Sequence, residues 1–348
     1  MSELRQILDL GKRASAAGEE VCLATVVGIE GSAYRRPGAR MLLTSSGLRA
    51  GTVSGGCLEA EIAKKAWWLT TNGPSLQRYS SFFDDDGDMP YGLGCGGTVI
   101  VLLERGEPAA QALDALRRSV EDRTESVIVT NAGTNSPGTQ LVLNEAGEIS
   151  YSRDSNPDAF RLANEALRAG ESSHAGDSFI ELIAPPPALI VFGAGDDAQP
   201  LVDFAAALGW HVTVADGRSH LVRPDRFPQA AQVLNLDAAL TLAVPDAATV
   251  IMTHSYEQDR RILTALLATD IRYIGVLGPR RRTFRLIDDV ARPLGLTPAE
   301  CLARLHTPVG LDLGGHSPAS IALAIAAELQ AVFAGREPRK LSAPPVHV

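Results

Sequence analysis

The chain has 348 residues, a length that suits two domains, because a single hydrophobic core stops growing near about 250 residues. Hydrophobic residues make up 45% and charged residues 21%, the proportions of an ordinary soluble globular protein. The formal net charge of −9 argues against non-specific binding to nucleic acid or to an anionic membrane. Apolar runs such as residues 321–329 are too short to span a bilayer. We therefore expect neither a nucleic-acid partner nor a membrane partner.

Cysteine usage and the N-terminus bear on the cellular compartment. The four cysteines, Cys22, Cys57, Cys95 and Cys301, are too few and too scattered for a disulfide framework. The first 18 residues lack the apolar core of a signal peptide and are typical of an amphipathic helix. Reduced thiols and a cytoplasmic location are predicted.

The N-terminal half mixes helices and strands. In chain order the patterns predict a helix over 2–17, strands over 21–29, 40–44 and 48–53, a helix over 58–69 and a strand over 98–103. Strands 40–44 and 48–53 form a hairpin around Ser45-Ser46-Gly47. Helix, strand and turn signals continue to about residue 170. We predict an α/β domain over residues 1–183.

The segment Ala184-Pro185-Pro186-Pro187 is a stiff extended joint between the two halves. Beyond it, strands alternate with helices, as in a parallel sheet with crossover helices. The predicted strands are 188–192, 211–215, 232–236, 249–253 and 273–277. A last helix begins after Ser317-Pro318, where Ser caps and Pro takes the first helical position. A doubly wound parallel sheet is predicted over 188–335, with a disordered tail over 336–348.

A glycine fingerprint follows the first of these strands. Gly193 to Ala198 matches G-x-G-x-x-A between an apolar strand and an apolar-periodic helix. Gly193 permits the tight turn, Gly195 lets a phosphate approach the backbone, and Ala198 lets helix and sheet pack closely. Asp216 ends the second strand, where an acid binds a ribose hydroxyl. A Rossmann-like domain is predicted.

The sequence around the glycine fingerprint is compatible both with a nucleotide site and with a turn that binds no nucleotide. Asp196 and Asp197 place two carboxylates at the helix N-terminus, where they would repel a pyrophosphate or simply cap the helix. Asp216 favours NAD, and Arg218 nearby leaves NADP open.

Two further residues are predicted at the same edge of the sheet. His254 and Arg280 each follow a strand at its carboxyl end, where open α/β sheets hold their ligands. The alternatives are a hydrogen-bonded loop histidine for His254 and a solvated helix start for Arg280, and both residues remain candidates for cofactor binding.

The N-terminal half carries a cysteine in a Gly-rich turn. Ser54, Gly55 and Gly56 can expose backbone N–H groups, and Cys57 falls at the positive end of a helix dipole, which favours thiolate. The carboxylates of Glu59 and Glu61, in the first turn, oppose this effect. A thiolate beside an oxyanion-binding nest suits metal ligation, sulfur transfer or attack on an electrophile.

The N-terminal half contains further candidate binding and catalytic residues. Arg35, Arg36 and Arg40 follow a strand and could bind an anionic ligand. Cys95 lies in a second Gly-rich turn and is taken with Cys57 as a catalytic candidate, although a buried packing role is the alternative. Cys22 and Cys301 are predicted to be core residues.

At these motifs the chain resembles the xanthine dehydrogenase accessory factor family, of the XdhC type. The N-terminal motifs are GSAYRRPGARMLL, GTVSGGCLEAEI and GLGCGG. The C-terminal motifs are VFGAGDDAQPL, VTVADGR, THSYEQDRRIL, YIGVLGPRRRT and LHTPVGLDLGGHSPASIALAIAAEL. The family often carries His where Asp196 stands and an acid near Ser320.

The resemblance implies a chaperone that binds molybdenum cofactor, supports its sulfuration and delivers it to a molybdenum hydroxylase such as xanthine dehydrogenase. It implies that the arginines and Cys57 receive the phosphate and molybdenum ends of the molybdopterin, with Cys57 as a molybdenum ligand. A cysteine desulfurase-type sulfur donor and a homodimer are expected partners.

Two other function classes stay open. One is an NAD(P)-dependent oxidoreductase using Asp216 and His254, and the other is a nucleotide-responsive, non-catalytic binding module. Hydride transfer has no need of the cysteine and arginine cluster, so the accessory-factor interpretation is favoured.

Overall fold

The computed structural model describes residues 2–80, 97–153, 157–242 and 246–342. The chain divides into two compact units, an N-terminal unit, Glu3–Pro185, and a C-terminal unit that begins at Pro186.

The N-terminal unit combines helices with two antiparallel sheets. Its helices are α1 Glu3–Ala16, α2 Glu59–Leu69, α3 Glu107–Glu121 and α4 Pro157–Ala169. Its strands are β1 Val21–Gly31, β2 Arg40–Thr44, β3 Arg49–Gly51, β4 Ser75–Ser80, β5 Gly97–Arg105, β6 Ser126–Asn131, β7 Gly138–Asn144, β8 Ile149–Ser152, β9 Ser173–Ala175 and β10 Ser178–Ile183.

Each sheet has five described strands, in the orders β3-β2-β1-β5-β4 and β8-β7-β6-β10-β9. β1 is buried from Cys22 to Val27 because it pairs with β2 on one side and with β5 on the other. The predicted hairpin is β2 and β3, but β3 stops at Gly51. There φ is +83°, and a Cβ atom would lie 2.3 Å from the Arg40 carbonyl oxygen. The prediction of an α/β unit is correct.

The C-terminal unit alternates strands and helices. Its strands are β11 Ala188–Phe192, β12 His211–Asp216, β13 Gln232–Asn235, β14 Ala248–Ile251, β15 Tyr273–Val276 and β16 Leu305–His306. Its helices are α5 Ala198–Ala207, α6 Leu236–Thr241, α7 Tyr256–Leu267, α8 Arg280–Leu294, α9 Pro298–Ala303 and α10 Pro318–Phe333, with a 3₁₀ turn at Pro224–Arg226.

These six strands are parallel and lie in the order β13-β12-β11-β14-β15-β16. This is the strand order of the Rossmann fold, and it confirms the predicted doubly wound sheet. Apolar side chains of α5 and α10 cover one face, and those of α7 and α8 cover the other. As predicted, Ser317 caps α10, where its hydroxyl accepts the Ser320 N–H.

The predicted spans differ from the structure mainly at strand ends. β14 ends at Ile251 rather than at residue 253, which leaves Thr253 and His254 in the loop at the carboxyl edge of the sheet. The two-residue strand β16 was not predicted. Within the described ranges, no helix has the length and apolar character needed to cross a membrane.

Candidate functional site

The glycine turn after β11 is tightly packed. Gly193 has φ +130°, and its N–H donates to the Ala215 carbonyl at 2.7 Å. A Cβ atom there would lie 2.4 Å from the Met252 carbonyl oxygen, which explains why only glycine fits. Gly195 meets the Asp197 carboxylate, whose Oδ1 would be 2.5 Å from an added Cβ. Ala198 is buried at the start of α5, as predicted for close packing of helix and sheet.

Asp216 ends β12 as predicted, but its carboxylate is engaged. It is 1% exposed and accepts the Ala194 N–H at 2.9 Å and the Arg218 guanidinium at 2.9 and 2.7 Å. Burial alone would raise the pKa of Asp216, but hydrogen bonds from Arg218 and from the Ala194 and Arg218 amides outweigh it and lower that pKa. A ribose hydroxyl would have to displace one of these donors.

The two carboxylates at the start of α5 pair with side chains. Asp196 pairs with Arg226 at 2.6 Å, and Asp197 pairs with His254 at 2.7 Å. Asp197, at the N-cap position, makes no side-chain capping bond, so the capping interpretation is wrong. Long-range partners hold these carboxylates instead. His254 adopts φ +59° and remains exposed beside Asp197.

Arg280 is the first residue of α8 and is exposed. It lines a cavity beside the loop that leads into α10. This places it at the carboxyl edge of the sheet, beyond β15.

The turn before α2 surrounds a carboxylate of the chain itself. Glu59 is 3% exposed, and its Oε1 accepts the N–H groups of Val53, Ser54 and Gly55 at 3.0, 2.9 and 3.3 Å. Its Oε2 accepts the Ser54 hydroxyl at 2.7 Å. Burial alone would raise the pKa of Glu59, but these hydrogen bonds lower it below its ordinary value. The Ser54 and Gly55 amides, expected to bind an external oxyanion, therefore already bind Glu59.

The part of this turn that is open to a ligand begins one residue after Gly55. The N–H groups of Gly56 and Cys57 have no acceptor among the described residues, and Cys57 is exposed just before α2. Gly55 and Gly56 have φ +97° and +124°, which hold the turn in a conformation that favours glycine.

The three predicted arginines have different surroundings. Arg35 pairs with Glu3, which also accepts the Thr52 N–H at 2.7 Å. Arg36 is exposed and has no carboxylate partner in the part of the chain that the structure describes. Arg40 is 6% exposed and forms a two-pronged ion pair with Glu181, which occupies both terminal guanidinium nitrogens. Ligand binding by Arg40 does not fit these contacts, because it would require breaking a buried ion pair.

An open groove joins the loop over residues 32–39, which carries Arg35 and Arg36 and is called the arginine loop here, to the Gly-rich turn. Its lining includes Tyr34, Arg35, Arg49, Gly55 and Gly56. The Tyr34 ring packs on Gly55, where an added Cβ would meet it at 2.8 Å. Tyr34 and Arg49 are candidate site residues that the sequence analysis missed. Arg49 is exposed on β3, and only its proximity in the hairpin to Gly51 and Thr52 could have suggested it.

The groove offers the guanidinium groups of Arg35 and Arg49, the ring of Tyr34 and the amide of Gly56, and the exposed thiol of Cys57 follows Gly56 in the chain. Such a donor set suits a ligand that is anionic, carries a planar ring and presents a soft metal or sulfur atom. Cys95, the other catalytic candidate, lies outside the described residues. Within the ranges described, no group of three or more His, Cys, Asp and Glu side chains is arranged to hold a metal ion.

Cys57 should be the most reactive of the three described thiols. Cys22 and Cys301 are buried, and burial raises the pKa of Cys22 to about 12 and also raises that of Cys301. Thiolate is the reacting species, so a limiting dose of iodoacetamide near neutral pH, followed by peptide mapping, should label Cys57 first. Modification of Cys22 or Cys301 before Cys57 would contradict the role given to Cys57.

Each of the two units contains a segment that matches a known protein family. Residues 189–329 match the family model described as the XdhC Rossmann domain, and residues 14–80 match that of the XdhC and CoxI family. A Bacillus subtilis protein described as a probable xanthine dehydrogenase subunit is 33% identical over 317 residues, covering 89% of this chain and 92% of that protein. The molybdenum cofactor insertion chaperone PaoD of Escherichia coli is 26% identical over 333 residues, covering 94% and 88%.

A solved structure is similar to this chain over nearly its full length. A Bacillus halodurans chain described as a xanthine dehydrogenase superposes with a TM-score of 0.78 at 29% identity, covering 99% of this chain and 98% of the other. The resemblance predicted from the motifs is confirmed. With two family models matched in order and a relative above 30% identity over most of both chains, this chain belongs to the XdhC and CoxI family.

Proposed function

We propose that this chain is a maturation factor that binds molybdenum cofactor, supports its sulfuration and helps insert it into a xanthine dehydrogenase-type molybdenum hydroxylase. The observation that carries the proposal is the groove of the N-terminal unit, where arginines face a Gly-rich turn that ends in an exposed cysteine. Membership of the XdhC and CoxI family and the likeness to PaoD support it.

Each residue in or beside the groove is assigned to the part of the cofactor that suits its chemistry. Guanidinium groups bind phosphate through charge-assisted hydrogen bonds, so Arg36 and Arg49 are assigned to the phosphate of the molybdopterin. The exposed ring of Tyr34 can stack on the pterin. The Cys57 thiolate is a soft ligand suited to the molybdenum end, with the Gly56 and Cys57 amides available to its oxygen or sulfur ligands. Arg40 is assigned to holding the arginine loop in place.

Glu3 tunes this site by neutralising Arg35. Its carboxylate bonds both to Arg35 and to the Thr52 N–H and hydroxyl, at 2.7 and 3.0 Å for Thr52, and so links the arginine loop to the Gly-rich turn. Arg35 is therefore expected to contribute less to phosphate binding than Arg36 does.

The proposal extends to partners. A molybdenum hydroxylase receives the cofactor, a cysteine desulfurase-type enzyme supplies the sulfur, and the factor works as a homodimer in the cytoplasm. NAD(P)-dependent hydride transfer is not proposed, because Asp216 is paired with Arg218 and Asp197 with His254.

Removing Arg36 and Arg49, which pair with no carboxylate among the described residues, should weaken cofactor binding. Since charge-assisted contacts contribute about 1.5–3 kcal/mol each, Arg36→Ala combined with Arg49→Ala should raise the dissociation constant tenfold or more. Binding is measured by mixing protein with cofactor released from a molybdoenzyme, separating the bound fraction by ultrafiltration, and quantifying molybdenum and pterin in it.

The matched control is Arg168→Ala, which removes an exposed arginine at the end of α4 in the same unit. It should leave the affinity unchanged. If the double variant folds and binds with wild-type affinity, or if the control loses as much, the groove is not the cofactor site.

A further inference from the structure

A second concave site lies in the C-terminal unit, outside the glycine turn. It is a cavity of about 540 Å³ at the carboxyl edge of the sheet, between the end of β15 and the loop that leads into α10. Its polar side chains are Arg280, Asp312, His316 and Ser320, and its floor is apolar, with Leu277 and Ile321 among its residues. A volume of this order suits a small-molecule ligand.

The loop over 310–316 contributes its backbone to the lining of this cavity. Gly314 and Gly315 are consecutive left-handed residues, with φ +76° and +87°. Successive amides in such turns converge on a concavity that binds anions. The N–H groups of Gly314, Gly315 and His316 have no acceptor within the described ranges, so they remain available to a ligand.

This loop is held in place before any ligand arrives. The Leu311 N–H donates to the Ala324 carbonyl of α10 at 3.1 Å, and the Gly310 N–H donates to Glu328 at 2.5 Å. Glu328 is in turn paired with His306 of β16 at 2.6 Å. A site fixed in this way loses little conformational entropy on binding.

The charges also point to an anion. Arg280 has no carboxylate partner among the described residues, whereas Arg282, two positions on, is paired with the buried Asp259 at 2.5 Å. Arg280 therefore keeps its hydrogen-bonding capacity for a ligand. Asp312 also lines the cavity, and its negative charge opposes an anion and limits the affinity.

We propose that this cavity binds the phosphate group of a small molecule through Arg280, His316 and the amides of Gly314 and Gly315. The site differs from the position of a dinucleotide on the glycine turn, because it uses the loop between β16 and α10 and leaves the Asp216–Arg218 pair intact. It is independent of the cofactor groove in the N-terminal unit. The phosphate comes either from a free inorganic anion or from a nucleotide.

Isothermal titration of the full chain with inorganic pyrophosphate and with ADP tests the site. We expect both to bind, with affinity that falls as salt rises, since the contact is ionic. Arg280→Gln should weaken pyrophosphate binding tenfold or more, and Asp312→Asn should strengthen it. ADP binding more tightly than pyrophosphate would identify a nucleotide as the source, and equal affinities would identify the free anion.

The matched control is Arg281→Gln, which removes another exposed arginine from the same helical turn, one that does not line the cavity. It should bind pyrophosphate like the wild type. Equal loss in the Arg280 and Arg281 variants, unchanged binding in Arg280→Gln, or no binding by the wild type at millimolar pyrophosphate would each overturn the proposal. None of these results depends on molybdenum cofactor binding, so the two proposals fail separately.

Discussion

Replacing Arg40 by Ala should lower the free energy of unfolding by about 3–5 kcal/mol, because it leaves the Glu181 carboxylate buried without its partner. Arg40 on β2 and Glu181 on β10 bond through two nitrogen–oxygen pairs, and Arg40 also donates to the Gly38 carbonyl at 2.9 Å. The change removes the contact that ties the arginine loop to the second antiparallel sheet. Urea unfolding of the purified chain measures the loss.

An exposed pair in the same unit provides the comparison. Arg78 and Glu30 lie 2.7 Å apart, with more than half of each side chain exposed, and such pairs contribute only about 0–1 kcal/mol. Arg78→Ala should therefore leave the unfolding midpoint almost unchanged. A loss in Arg40→Ala as small as that in Arg78→Ala would contradict the stabilising role of the buried pair and would restore Arg40 as a ligand-binding candidate.

Replacing Glu59 by Ala should cost about 3 kcal/mol or more, because a carboxylate acceptor contributes about 1.5–3 kcal/mol per hydrogen bond and the variant leaves the buried Val53 and Ser54 amides unpaired. The turn that carries Cys57 should loosen, and the amides of Val53 and Ser54 should exchange their hydrogens faster. Thermal unfolding measures the loss of stability, and hydrogen exchange at Val53 and Ser54 measures the loosening.

The same carboxylate makes stability depend on pH. The folded-state pKa of Glu59 is lowered, so its contribution is complete above the ordinary carboxyl value of 4.5 and is lost as the pH falls from there through the lower folded-state pKa. Glu59→Ala should therefore lose less stability on acidification than the wild type does. Lys65 also lowers the pKa of Glu61, two residues on, but this helical pair lies at the surface, so Glu61→Ala should change the pH dependence much less than Glu59→Ala does. Identical acid profiles for the wild type and Glu59→Ala would contradict the turn geometry.

The fold of the C-terminal unit could be predicted closely because its elements carry strong local signals. The ends that the apolar runs predict for β11 and β12 agree with the structure to within one residue. The start of α10 lies at Ser317-Pro318, as predicted. β16 was missed because two residues, Leu305 and His306, contain no periodicity to detect. The paired antiparallel sheets of the N-terminal unit were not foreseen, because the order of strands in a sheet depends on contacts far apart in the chain.

The candidate site was predictable by residue type but not by pairing. Cys57 is exposed in its turn, as its Gly-rich surroundings suggest. Glu59 was expected to add negative charge near the thiol, but its side chain turns inward and binds the turn. Arg40 meets a partner 141 residues away, a separation that no local pattern encodes. Side-chain partners decide whether a charge is free for a ligand, and they depend on tertiary structure.

The outermost strands of the three sheets, called their margins here, affect how two copies of the chain can associate. Unpaired backbone groups along a sheet margin can template the addition of a second chain, and very short outer strands limit this. β16 has two residues, β3 and β9 have three each, and β8 and β13 have four each. A foreign strand added to any of these five margins would gain only a few ladder hydrogen bonds. Pairing of two copies along these five margins should therefore be unfavourable, whereas the sixth margin, β4, has six residues and offers a longer ladder of hydrogen bonds.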